Sequence, residues 1–400
     1  MPIRRYYFLY FVAAAALMPS LALLFTERGF SGTQVGVLVA VIPLTVALAG
    51  PVWGAIADRT GRGGELLWIG LTVAAVAGAV MVNLTGFVVA LGVAVVFAVG
   101  LAPSLPFADA AALIERERRG ATYGALRAWG GVGWGVGGPL VGGAAALAGR
   151  AAHGVLHLVL TLILAAVGRR LVVPGGRFVG RTRDAIGTLL CLPGWGVFLA
   201  AVAAFGFGAG IVSSFLFVRL AEVGGSALVL GLALSVGTLS ELAMFRFSDR
   251  IVARIGAMAA LLLGIAALVV RLVLLGALDG IGALLVLQLL HGLTFALPWT
   301  GAVTHALRTS PEELMASAQS AVGLTFGGLA PALGGLVGGL LLGRHGADGM
   351  LVRSGAGLAL AGALILVAWG WGHRRGLGST TVAAAAVPIA PGAGSSAAAS

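Results

Sequence analysis

The chain contains no lysine; all 25 of its basic residues are arginine. A nucleotide-binding loop of the GxxxxGK type is therefore excluded, because nothing supplies the ammonium that reaches the phosphates. Cys191 is the only cysteine, which rules out an intrachain disulfide and a thiolate metal cluster. Charged residues make up 10% of the chain, against about 25% in a soluble domain. There is no HExxH pair and no paired aspartate-rich motif of the kind a metal-dependent lipid transferase carries on a loop. These gaps argue against an enzyme and against a self-contained ATP-driven pump, and they imply no metal and no cofactor.

What fills the chain is apolar: 59% of residues are hydrophobic and the mean hydropathy is +1.05. Runs of about 20 apolar residues suffice to cross the hydrocarbon of a bilayer. They predict twelve spans near 7–27, 33–57, 66–84, 87–112, 122–147, 152–173, 193–218, 228–248, 257–276, 280–306, 313–343 and 350–372. The first run follows Arg4 and Arg5 as a signal peptide would. No cleavage site leads into a polar domain, so it reads as an uncleaved first helix. From about Gly376 the chain is Ala, Gly, Ser and Pro, the composition of a disordered tail.

A net charge of +11 would suggest nucleic acid in a soluble protein. The positions of the arginines say otherwise. Arg4, Arg5, Arg59, Arg62, Arg116, Arg118, Arg119, Arg169, Arg170, Arg177, Arg181, Arg183, Arg246, Arg250, Arg254, Arg308, Arg374 and Arg375 fall at alternate ends of the spans, and only Arg28, Arg150, Arg219, Arg344 and Arg353 fall at the others. That asymmetry is the positive-inside pattern. It predicts a bacterial-type plasma (inner) membrane protein with both termini in the cytoplasm and no nucleic-acid partner.

Asp109, Arg127, Glu241 and Arg271 lie within the apolar stretches, where a charge costs from ~2.5 to over ~10 kcal/mol. Such residues face a polar cavity and pair with one another or with a solute, which makes the chain a transporter candidate. The plainer reading of Asp109 and Arg127 is a structural ion pair between two helices. Glu241, surrounded by Leu, Ala and Met, has no obvious local partner and is the candidate proton carrier, since an apolar environment favours the neutral carboxyl.

The chain also repeats itself. The segment from Gly131 to Gly143, with Trp134, Gly135, Pro139 and Gly142, overlays without a gap on Gly323 to Gly335, with Phe326, Gly327, Pro331 and Gly334, all shifted by 192. Nearly the same shift relates Asp58-Arg59 to Asp249-Arg250. Parallel repeats of this kind occur in transporters whose two halves rock around a central site. They divide the chain into an N-terminal half, 1–173, a basic cytoplasmic linker, 174–191, a C-terminal half, 192–372, and a tail, 373–400.

Between the second and third spans, Gly54, Asp58, Arg59, Gly61 and Arg62 stand in the order G-x-x-x-D-R-x-G-R. This resembles the loop signature of the major facilitator superfamily. The glycines suit a tight turn and close helix contact, and the resemblance implies that Asp58 pairs with arginines across the cytoplasmic face to control conformation.

A second resemblance is to the lactose permease group of proton symporters. It rests on Pro106-Phe-Ala-Asp109, with Arg127 eighteen residues on, and on Arg127, Gly131 and Trp134 at i, i+4 and i+7, one helix face. It implies that Asp109 and Arg127 hold solute hydroxyls and that Trp134 stacks on a ring, although Asp is a methylene shorter than that group's Glu. Arg271 and His291, twenty residues apart, continue the match. Thr294 replaces the proton-carrying Glu, and Glu241 lies about one turn beyond its counterpart. These features resemble the phenylpropionate-permease subgroup. Gln288, Gln319 and Thr294 are polar enough to line a cavity.

The expectation is an all-α membrane protein with two pseudo-symmetric six-helix halves, acting as a monomeric proton-coupled importer of a small polar solute such as a sugar, nucleoside or small organic acid. In this reading Asp109, Arg127, Gly131 and Trp134 bind solute, while Glu241, Arg271 and His291 respond to protons. A proton-driven exporter of amphipathic drugs and a transporter-like membrane sensor remain open alternatives.

Overall fold

A computed structural model of the chain describes residues 2–119, 123–173 and 182–374. Among these residues every regular element is helical, as hydrocarbon demands: without water, each backbone N–H and C=O has to be satisfied within its own segment. Twelve membrane helices result. They are α1 Pro2–Glu27, α2 Gly32–Thr60, α3 Gly63–Met81, α4 Phe87–Leu101 continued by Ser104–Arg119, α5 Tyr123–Ala148 and α6 Ala151–Gly168. The second six are α7 Trp195–Glu222, α8 Ala227–Ile255, α9 Ala257–Ala277, α10 Ile281–Thr309, α11 312–345 and α12 347–374. The last two form one continuous helical run, broken only at Gly346, whose φ of 69° reverses the chain.

Helix ends follow capping chemistry. At the start of α2, Ser31 Oγ accepts from the Gln34 amide at 3.3 Å and the Gln34 side chain accepts from the Ser31 amide at 2.9 Å, a reciprocal capping box. The corresponding helix of the second half, α8, starts on Ser226, whose hydroxyl accepts from the Val229 amide. Gly61 closes α2 at φ 65°, donating to Ala57 O at 2.8 Å. Several helices outrun the apolar stretches that predicted them. The helix α8 reaches Ile255 and carries Arg250 and Arg254 beyond the expected end at 248, because hydropathy marks the membrane slab and backbone hydrogen bonding continues past it.

Of the expected linker, 174–181 lies outside the described residues, and Thr182–Cys191 is a short helix ending on the exposed Cys191. Arg177, Arg181, Arg375 and the tail from 375 also lie outside them, as do the side chains of Arg116, Arg118, Arg119, Arg183 and Arg374. Large apolar side chains such as Val88, Leu147 and Val367 are exposed on the surface that a bilayer covers.

Arg219 is a buried cation at the end of the bundle away from most of the arginines. Its guanidinium donates to the carbonyls of Leu275, Gly276 and Leu278 at 3.1, 3.3 and 3.0 Å and to Asp279 Oδ1 at 2.6 Å. It thereby caps the C-terminus of α9, where the helix dipole favours a cation.

The two halves meet along two glycine-lined seams. In one, α2 packs on α11: a Cβ at Gly36 would lie 2.8 Å from both the Gly335 carbonyl oxygen and the Gly339 Cα. In the other, α5 packs on α8, with Gly138 and Gly231 backbone to backbone. A Cβ at Gly142 would lie 2.5 Å from Ala227 O, and Ser235 Oγ donates across the seam to Gly135 O at 2.7 Å. Small residues let helix backbones approach this closely. Both seams lie toward the end opposite the arginine-rich loops, so the halves are closed there. At the arginine-rich end a Cβ on Gly54 would meet nothing within 4 Å. The close helix contact expected of that glycine is absent in this conformation, whereas the tight turn expected at Gly61 is present.

Gly138→Val should keep the seam from closing, since its side chain would fall on the Gly231 backbone. In a Cys191→Ser background with a reporter cysteine at Ala145, labelling by a membrane-impermeant maleimide should rise several-fold over the glycine parent. Unchanged labelling would show that the seam does not close this end.

Candidate functional site

The N-terminal cluster depends on a break in α4. The helix stops at Leu101 and restarts at Ser104, across Pro103, which has no N–H to donate. Pro103 offers no amide to the Val99 carbonyl, and Trp53 Nε1 on α2 donates to it at 2.8 Å. Ser104 Oγ donates to the Leu101 carbonyl, and Tyr6 OH on α1 ties the restarted helix down by donating to Ser104 O at 3.1 Å. A little over one turn later comes Asp109. Its Oδ1 accepts a 2.6 Å hydrogen bond from Tyr7 OH.

Arg127 on α5 stacks across α1, its guanidinium carbon 5.3 Å from the Tyr7 ring centroid and 5.2 Å from that of Phe11. Contacts of this kind contribute up to about 2 kcal/mol when desolvated. Trp134, half-buried two turns on, stands edge-on to Phe11 at 6.3 Å.

The expected Asp109–Arg127 ion pair does not form. The two charges instead share Tyr7, one through its hydroxyl and the other through its ring face. Arg127 consequently keeps a buried Nη1 with no hydrogen-bond partner. Gly131 lies against the other half. A Cβ there would lie 3.2 Å from Leu242 Cδ2 on α8, so its small size serves the approach of the two halves. That contact brings Arg127 and Glu241 each within about one helical turn of the seam.

In the C-terminal half, α10 changes to a 3₁₀ turn at Leu287–Leu290 just before His291. Ser240 on α8 bridges this change: its hydroxyl donates to Leu289 O and accepts from the Gly292 amide at 3.0 Å. The next residue on α8 is Glu241, and its Oε2 lies 3.4 Å from His291 Nε2. Glu241, read from sequence as lacking a local partner, therefore has one. On the other side of the ring, Arg271 Nη1 is 3.0 Å from His291 Nδ1.

Arginine only donates, so Nδ1 accepts and the ring hydrogen sits on Nε2, toward Glu241. Arg271 is itself buried and donates to Thr294 Oγ1 at 2.9 Å and to Gln288 Oε1 at 2.7 Å, while its Nε has no partner. Thr294 and Gln288 thus hold the arginine. Gln319 instead donates to Val303 O at 3.2 Å, a tie between α11 and α10.

Gly54, Asp58, Arg59, Gly61 and Arg62 sit at the arginine-rich end of α2, apart from both clusters. Arg62 meets Glu65 at 4.0 Å, both exposed, and Asp58 is half-buried. A cavity of about 200 Å³ lies between the halves at the closed end, bordered by Glu27, Arg150, His153 and the seam glycines Gly138, Gly142 and Gly231, and it takes in none of the solute-binding or proton-responsive candidates. Sequence reasoning missed Tyr7, Phe11 and Ser240. The aromatic run Tyr6-Tyr7-Phe8-Leu9-Tyr10-Phe11 was the available signal, since a tyrosine hydroxyl inside a membrane helix needs a partner.

Two six-helix halves, charged clusters on facing helices and a seam closed at one end define a transporter architecture. The chain belongs to the MFS_1 like family, whose profile matches residues 2–350. It is an integral membrane protein of the major facilitator superfamily, a secondary transporter of small solutes working by alternating access. Among curated proteins it is 30% identical over 349 residues to the maltose permease of Geobacillus stearothermophilus, covering 85% of this chain and 86% of that one. Among solved structures, the nucleoside transporter NupG superposes with a TM-score of 0.80 at 16% identity, covering 92% of this chain and 98% of that one. A bacterial homolog of the human lysosomal transporter Spinster gives 0.72 at 14%, covering 92% and 95%.

Tyr7→Phe keeps the ring beneath Arg127 and removes only the donor to Asp109. Hydrogen bonds to charged groups contribute about 1.5–3 kcal/mol, so the purified variant should unfold at a lower temperature. An unchanged unfolding midpoint would mean that the Tyr7–Asp109 bond contributes nothing to folding.

Proposed function

We propose that the protein imports a small neutral, hydroxyl-bearing solute of the sugar or nucleoside class together with protons. The observation that carries this reading is that each half presents an arginine with one buried, unpartnered N–H, Arg127 Nη1 and Arg271 Nε. An unsatisfied buried donor is costly, and a solute hydroxyl or carbonyl relieves it. The fixed charges balance, Asp109 and Glu241 against Arg127 and Arg271, which favours a neutral solute over an organic acid. Maltose permease and a nucleoside transporter among the similar proteins support the same choice.

In this reading Asp109 and Arg127 bind solute, Trp134 stacks on a ring, and Gly131 sets the helix spacing. Glu241 carries the proton and His291 relays its state to Arg271. The arginine-rich end faces the cytoplasm with both termini, so the conformation described is open inward, and the Gly54–Arg62 loop closes that end when the halves rock. The unit is a monomer.

Uptake into vesicles under imposed pH gradients tests the proposal: an inwardly directed proton gradient should drive accumulation of a sugar or nucleoside. Accumulation under the opposite gradient would favour the exporter, and no response to either gradient the sensor. Glu241→Gln should abolish accumulation while preserving exchange between equal solute pools. Accumulation by that variant would move the proton to another group. Arg127→Lys should lose uptake, because an ammonium lacks the planar face that stacks on Tyr7 and Phe11; wild-type uptake by it would remove Arg127 from the binding site.

A further inference from the structure

The C-terminal half contains an aromatic platform that the roles above do not use. Phe205 on α7 and Phe326 on α11 are stacked, with centroids 4.6 Å apart and planes at 27°. Phe295 and Trp299 on α10 stand 6.0 and 5.1 Å from Phe326. Phe295 is in turn stacked on the His291 ring at 5.5 Å and 16°. Phe205 is fully buried, whereas Phe295, Trp299 and Phe326 are partly exposed. The platform is thus backed by the core, and through the Phe295–His291 stack it adjoins the Glu241–His291 contact.

Its place in the repeat is informative. Phe326 occupies the position that Trp134 holds in the first half, and each leans on a phenylalanine from the first helix of its own half, Phe11 for Trp134 and Phe205 for Phe326. The backbones differ. Trp134 lies in an uninterrupted α-helix, but Phe326 lies in a π-helical turn, Thr325–Leu329, a rare geometry found often at functional sites.

The turn is wedged on two sides. A Cβ at Gly206 of α7 would lie 3.2 Å from Phe326 Cα, and one at Gly328 would lie 2.6 Å from the Ala47 side chain of α2 in the other half. These approaches position the backbone of the turn, and Phe205, Phe295 and Trp299 hold the Phe326 ring.

We propose that Phe326, supported by Phe295 and Trp299, is a specificity-determining residue: a second stacking wall that receives one ring of the solute while Trp134 receives the other. The inference rests on the solute site proposed above and narrows it to solutes with two linked rings. Aromatic faces pack on the C–H faces of sugars and on nucleobases, so a disaccharide and a nucleoside satisfy the same chemistry. A one-ring solute engages one wall only. Because His291 stacks on Phe295, solute at this wall also sits beside the proton contact.

The test is binding by the purified full-length protein of glucose against maltose and of ribose against uridine, in wild type, Phe326→Ala, Phe326→Trp and Arg127→Ala. The wild type should bind maltose or uridine at least about tenfold more tightly than its one-ring counterpart, and Phe326→Ala should erase that margin while changing one-ring affinity less than about threefold. Phe326→Trp, which retains an aromatic face, should restore it and show that the loss is not misfolding. Equal losses for one-ring and two-ring probes, or no loss, overturn the second wall. If Arg127→Ala abolishes binding and Phe326→Ala does not change it, the second wall alone fails. If wild type binds no probe, the solute site and the second wall fail together.

Discussion

A polar group inside an apolar helix bundle has to find its partners in the protein, because no water is there to supply them, and much of this structure follows from that constraint. It makes every described element a helix. It also decides where helices can break: α4 parts at Pro103 because Trp53 and Ser104 take up the Val99 and Leu101 carbonyls, and α10 tightens before His291 because Ser240 serves both sides of the change. Each break lies next to a cluster of charged residues. Asp109 follows the first and His291 the second, so each of these two interruptions lies where a charged or titratable side chain has to be aimed.

The same constraint separates two kinds of buried arginine. Arg219 is met by three carbonyls and a carboxylate, and it acts as a rivet between the end of α9 and α7. Arg127 and Arg271 are each left one donor short. Arg219 thus acts structurally, and in the proposed function the two unmet donors are where a solute binds. The tautomer of His291 belongs to this logic. Arg271 presents hydrogens to one ring nitrogen, so the other carries the hydrogen toward Glu241, and a proton added at Nδ1 requires that contact to break.

Glycine supplies the mobile element of the design. Backbone-to-backbone seams such as Gly36 on Gly335 and Gly138 on Gly231 have little side-chain interlock. The closed end also buries apolar side chains of both halves in one cluster, among them Leu24, Val35 and Leu38 with Val212 and Phe215, so alternating access has to exchange these contacts as well. The closed seams at one end and the empty space beside Gly54 at the other belong to a single rocked position of the two halves.

The sequence by itself determined the membrane class, the twelve helices, the duplication and the presence of charged residues inside the spans, because hydropathy, arginine placement and cost of burial are local or additive properties. It also carried the pairing of Arg271 with His291, through their spacing. Only the tertiary structure decided which partners those charges take. Asp109 and Arg127 lie eighteen residues apart and were read as a pair, yet Tyr7, about a hundred residues before Asp109, stands between them. Glu241 had no partner nearby in sequence and was grouped with His291 only as part of a network; that the two touch was decided once α8 packs on α10. What lies opposite Gly131, the Leu242 side chain of the other half, was decided only by the packing of α5 on α8. The π turn under Phe326 was likewise invisible, because the repeat that places Phe326 opposite Trp134 in sequence predicts the same helix for both, and only packing against α7 and α2 distinguishes them.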